Sequence, residues 1–136
     1  MTEIVLIVGV GPGRSSSIAR LGESKNRQVI LAAGDIEKLD DLKKEINAST
    51  IACDSRNIKS VQKLFKDVDK IGVPNLVVYN PSMRFKGSIT ELDPIQTQKA
   101  INVTCFGAFL VAQEATKRMI KRKSGSIFFT GASAGV

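Results

Sequence analysis

Directly after the apolar run at residues 4–8 the chain reads Gly9-Val10-Gly11-Pro12-Gly13-Arg14-Ser15-Ser16-Ser17. A glycine-rich turn there lets backbone amides and the start of a following helix approach a diphosphate, because glycine has no Cβ and a helix N-terminus carries partial positive charge. The common dinucleotide spacing G-x-G-x-x-G fails, since Arg14 stands at its third glycine. The longer spacing G-x-x-x-G-x-G keeps Gly9 and Gly13 and meets Ser15 at its last place. A turn of this kind that binds no ligand is the other reading. Two later residues end apolar runs in the same way, Asp54 after Ile51-Ala52-Cys53 and Asn80 after Val77-Val78-Tyr79. Each can also simply close a strand or make a turn.

The elements that would position these groups follow from periodicity. Residues 4–8 form a continuous Val/Ile/Leu run of the kind found in strands buried on both faces, and segments 29–33, 50–53, 76–79 and 127–130 repeat it. Helix-like stretches at about 15–25, 36–47, 58–71 and 94–122 separate them. Asp35 is placed to cap the second helix, and Asp93-Pro94 offers a capping carboxylate followed by proline at the first helical position. Strand alternating with helix predicts an α/β fold, a Rossmann-like doubly wound parallel sheet of five strands with flanking helices. In such a sheet the loop 80–93 lies at the carboxyl end of a strand, where ligands bind.

With 136 residues, 43% of them hydrophobic and 24% charged, one domain over 1–136 is expected. The chain has two cysteines and no histidine, which excludes the usual mixed zinc sites and any histidine-based triad; no metal is expected. Met1-Thr2-Glu3 passes straight into the first apolar run without the basic region of a signal peptide, and no run reaches the roughly 18 residues of a membrane span, so a cytoplasmic protein is expected. The net charge of +7 suits an anionic partner. Its densest cluster, Lys117 to Lys123, falls at the end of the long helix, where cations suit the dipole. A nucleic-acid module lacks the stacking aromatics and the motifs it would need.

The glycine turn together with Val29-Ile30-Leu31-Ala32-Ala33-Gly34-Asp35, Ile51-Ala52-Cys53-Asp54, Val77-Val78-Tyr79-Asn80-Pro81-Ser82 and Gly125-Ser126-Ile127-Phe128-Phe129-Thr130-Gly131 resembles, in order and spacing, the nucleotide-binding portion of the short-chain dehydrogenases/reductases. The resemblance runs along essentially the whole chain. It implies an oxidoreductase that moves a hydride between NAD(P) and a small carbonyl or alcohol, with Gly9, Gly11, Gly13, Arg14, Ser15, Asp54 and Asn80 at the nucleotide. Relatives that prefer NAD carry an acid at the end of the second strand; Ala33 stands there, and Gly34 occupies the neighbouring place often held by arginine in NADP users. NADP is expected, with Arg14 either a substitute for that arginine or a solvent-facing residue, and NAD stays open.

The same resemblance implies a Tyr-x-x-x-Lys pair, and this chain reaches Val136 without one, because its only tyrosine, Tyr79, has Met83 at the fourth place after it. The chain is therefore expected to be truncated, lacking the family's C-terminal strands and leaving the strand at 127–129 at a sheet edge. The family's helical asparagine falls on Thr104 and its catalytic serine on Ala132, with Ser133 one place later. Ser133 and Thr104 are the candidate catalytic residues. Thr104 is expected to bond back to its own helical turn, and Asn102 to point about 200° away from it. Phe106, Phe109 and Leu110 are expected in the core, with a homo-oligomer interface as the alternative. The second functional reading is a nucleotide-binding remnant without catalysis.

Overall fold

The structure, a computed structural model, describes residues 2–132. Five parallel strands, β1 (Ile4–Val8), β2 (Gln28–Ala33), β3 (Ser49–Ala52), β4 (Leu76–Tyr79) and β5 (Ser126–Phe129), lie in the order β3-β2-β1-β4-β5. The helices are α1 (Arg14–Ser24), α2 (Asp40–Ile46), α3 (Ile58–Asp69), α4 (Pro94–Ile101) and α5 (Gly107–Arg122). The doubly wound architecture read from the strand-helix alternation is the one observed.

β1 is apolar without interruption because both of its faces are covered. Ile4, Leu6 and Val8 enter one core with Val61, Leu64, Phe65 and Val68 of α3 and Leu110, Val111 and Ala115 of α5. Val5 and Ile7 enter the other with Ala19 of α1 and Leu39 and Ile46 near α2. The period of two along the strand thus divides one apolar run between two helix layers. In α3 the buried positions Val61, Leu64, Phe65 and Val68 follow the helical period, and the Asn57 side chain caps the helix by accepting the Ser60 amide.

Three expectations need correction. The second helix is not continuous over 36–47: a 3₁₀ turn, Glu37–Leu39, precedes α2, and Asp35 accepts the Glu37 amide at that turn and does not cap the α-helix. The long helix over 94–122 is broken by a π-helical stretch, Asn102–Phe106, closed by the Gly107 amide donating to the Asn102 carbonyl. Phe106 and Phe109 are exposed, 37% and 54%, their rings stacked 6.2 Å apart, and only Leu110 of that trio enters the core. Sequence periodicity cannot see this outward face, because it counts apolar residues and not what covers them.

The basic helix end is partly structural. Arg118 reaches across to Asp69 at 2.6 Å and lies over the Phe65 ring, while Arg122 donates to the Val73 and Pro74 carbonyls at 2.6 and 2.7 Å. Both guanidinium groups are therefore engaged in holding α5 to the chain before β4. β5 occupies a sheet edge, with Phe128 and Phe129 more than half exposed.

Candidate functional site

The chain crosses from one side of the sheet to the other between β1 and β4, and this switch point opens a cleft beyond the carboxyl ends of the strands. The cleft measures about 940 Å³ and is walled by the Gly9–Gly13 turn, Ala33 to Asp35 after β2, Cys53 to Arg56 after β3, Pro81 and Val103.

Two glycines of the turn have backbone angles that disfavour side chains, Gly9 at φ +81° and Gly13 at φ +99°. At Gly9 there is also no room, since a Cβ would lie 2.5 Å from the Pro81 ring. Gly13 is the N-cap of α1; among the described residues no side chain caps this helix, and its first turn holds no acid. A helix start leaves its first-turn amides without intrahelical partners, and Gly13 and Ser16 of this start line the cleft. The three serines bond back to the turn: buried Ser16 and exposed Ser17 both donate to the Gly13 carbonyl, and buried Ser15 bonds to Gly11 in both directions at 3.0 Å.

Asn80 is a brace. Its Nδ2 donates to the Gly9 carbonyl at 3.0 Å, its Oδ1 accepts from Thr130 Oγ1 at 2.8 Å, and its amide donates to the Val8 carbonyl. It joins the ends of β1, β4 and β5 and fixes the glycine turn from below. Asp54 lies on the cleft wall in a two-pronged pair with Arg56, at 3.1 and 3.2 Å. The Arg56 side chain holds its carboxyl below the usual carboxylate range, so the group is ionised at neutral pH.

Sequence reasoning missed several wall residues. Arg20 of α1 and Glu45 of α2 pair at 2.7 Å, and Asp35, Lys38 and Asp41 line the same end of the cleft. Spacing along the chain marks only the acid position at the end of the second strand, whereas Arg20 and Glu45 meet where α1 packs beside α2. Lys38 has no ion-pair partner among the described residues.

Of the candidate catalytic residues, Ser133 lies outside the described residues. Thr104 lies within the π-helical stretch and does not bond to its own turn: its hydroxyl accepts the Met83 amide at 3.1 Å and donates to the Met83 carbonyl at 3.2 Å. It clamps the loop 80–93 to the helix. Tyr79 is buried and donates to the Val103 carbonyl, and burial raises its pKa, which suits a structural phenol. Cys53 is buried, with its thiol pKa raised by desolvation, while Cys105 is exposed. Among the described residues no group of side chains could hold a metal ion, and no helix is long and apolar enough to cross a membrane.

The sequence model of the short chain dehydrogenase family matches residues 3–136. The chain belongs to that family. Its similarity to an uncharacterized oxidoreductase of Staphylococcus aureus strain USA300 is 23% identity over 98% of this chain and 59% of the relative. Similarity to the mitochondrial borneol dehydrogenase of Lavandula x intermedia is 26% over 97% of this chain and 52% of that enzyme. The chain thus spans a little over half the length of these curated relatives. Among solved structures, actinorhodin polyketide ketoreductase with NADPH superposes with a TM-score of 0.92 at 24% identity, over 98% of this chain and 54% of that one. ElxO with NADP bound superposes at 0.91 and 25% identity, over 99% of this chain and 57% of that one.

Proposed function

We propose that this short-chain dehydrogenase chain binds NADP and supplies the nucleotide-binding part of an oxidoreductase acting on a small carbonyl or alcohol. The observation that carries the reading is the uncapped first turn of α1, opening beside Gly9, Gly11 and Gly13 into a cleft of about 940 Å³. The amides of that turn suit a diphosphate, and Asp54, ionised and held by Arg56, is a fixed acceptor for the adenosine end. Neither Ala33 nor Gly34 carries a carboxylate, and Lys38, which lines the cleft alongside Asp35, Asp41 and the Arg20-paired Glu45, is the cation this reading assigns to a 2′-phosphate. The ketoreductase structure with NADPH and the ElxO structure with NADP support the same choice. When bound, the nicotinamide supplies the hydride; this chain's residues hold and orient the nucleotide. A cytoplasmic location belongs to the same proposal.

Titration with NADPH, followed by nicotinamide fluorescence, is expected to saturate, and more tightly than with NADH. Tighter NADH binding would assign NAD as the cofactor, and no saturation with either would sink the reading.

A second reading, nucleotide binding without catalysis, is favoured by Thr104, whose donor and acceptor are both engaged by Met83. NADPH binding with no oxidation across a panel of aldehydes and ketones is its expected signature.

We also propose that the α4–α5 face, with Ile95 76%, Ile101 56% and Phe109 54% exposed, meets the same face of a second copy. Phe109 stacks on Phe106, itself 37% exposed. Sedimentation is expected to show a dimer that Phe109→Ser converts to monomer, and a monomeric parent chain would overturn the assignment.

A further inference from the structure

The residue standing where the glycine pattern has its last glycine is 1% exposed, and its hydroxyl is used twice. Gly11 donates its amide to Ser15 Oγ at 3.0 Å, and Ser15 Oγ donates to the Gly11 carbonyl at 3.0 Å. One side chain thus closes a small ring on a single loop residue, holding both ends of it. Gly11 lines the cleft, whereas the Ser15 hydroxyl works from behind the turn. A glycine at that position could not make either bond.

We infer that Ser15 is a positioning residue for the phosphate loop: it fixes Gly11 before any ligand arrives and withdraws the Gly11 amide, leaving a diphosphate to the first-turn amides of α1. The inference rests on the dinucleotide reading for its ligand, while the ring itself is a property of the free chain. Two consequences separate it from simple packing. A loop already ordered loses little freedom on binding, so the hydroxyl matters for ligands that carry a diphosphate and not for those that lack one. The Gly11 amide, already engaged, keeps its partner when the ligand binds.

The test uses the full chain, isotopically labelled, as the parent and as Ser15→Ala, with Ser15→Gly as the second variant should alanine compromise folding. Without ligand, hydrogen exchange at the Gly11 amide is expected to be slow in the parent and about tenfold faster in the variants. With ligand, inorganic pyrophosphate is expected to shift the Arg14 and Ser16 amide resonances, with Gly11 remaining protected. NADPH is expected to bind about tenfold more weakly to the variants, with adenosine affinity unchanged. Equal Gly11 exchange in parent and variants would overturn the ring. Equal losses for NADPH and adenosine would reduce Ser15 to a packing role and overturn the inference. A parent chain with a protected Gly11 that never responds to pyrophosphate or NADPH overturns the nucleotide reading and the ligand half of the inference, and leaves the ring established.

Discussion

Gly9→Ala is expected to destabilise the chain by about 2–5 kcal/mol, combining a left-handed backbone cost of about 1–2 with a steric cost of about 1–3. The backbone at Gly9 has φ +81°, and an added Cβ would meet Cδ and Cγ of Pro81 at 2.5 Å and its backbone nitrogen at 2.6 Å. Proline cannot rotate such atoms away, because its ring is closed on the main chain. Nor can the two segments easily separate, since Asn80 holds both the Val8 and the Gly9 carbonyls. The loss is a large share of the roughly 5–15 kcal/mol that stabilises a typical domain. Urea unfolding would measure it, with NADPH titration expected to weaken in parallel because the turn is displaced. Gly11→Ala is the control: nothing lies within 4 Å of its added Cβ, and its stability is expected to stay within about 0.5 kcal/mol of the parent. Similar midpoints for the two variants would show that the Pro81 segment yields and that the contact is unimportant.

Gly107→Ala sets two effects against each other. The residue is helical, with φ −60° and ψ −40°, so alanine gains about 1 kcal/mol of helix propensity. Against this, the new methyl would fall on Tyr79 Oη and within 2.8 Å of the Ser55 carbonyl oxygen. Crowding costs about 1–3 kcal/mol, and losing the bond from Tyr79 to the Val103 carbonyl about another 1. The crowding wins, with a net destabilisation of about 1–3 kcal/mol. The displacement reaches the cleft, because Val103 and Ser55 both line it. Thermal unfolding should therefore fall in Gly107→Ala and recover in part when Tyr79→Phe is added, since the second change removes the atom in the way. A rise in melting temperature for the single variant would mean that Tyr79 swings aside at little cost.

These two glycines show what was legible before the fold was known. Gly9 belongs to a spacing that signals a tight turn, yet its neighbour Pro81 lies more than seventy residues away in sequence, so the severity of the constraint was invisible. Gly107 carried no warning, being an ordinary residue in a long helical pattern. The π-helical stretch just before it was equally hidden. It changes the register on which a uniform α-helix places Asn102 and Thr104, and nothing in the apolar period of 94–122 marks the change.

The site divides in the same way. Gly9, Gly11, Gly13 and Asp54 line the cleft, because a parallel sheet puts its carboxyl ends and the turns that leave them on one edge. Asn80 lies at that edge too, but its side chain braces the strands. Arg20 and Glu45 are paired on the wall by the packing of α1 against α2, and Lys38 joins them from the 3₁₀ turn before α2.

By itself, then, the sequence determined the strand-helix alternation, the five-strand parallel sheet, the family and the turn that faces the cleft. Each of these depends on residues close together in the chain, where periodicity and glycine spacing act directly on the backbone. Tertiary structure alone decided which hydroxyls and guanidinium groups are already engaged: Thr104 by Met83, Ser15 by Gly11, Arg118 by Asp69. A side chain's chemistry depends on the partner that takes its hydrogen bonds, and folding brings in partners that short-range spacing cannot reveal.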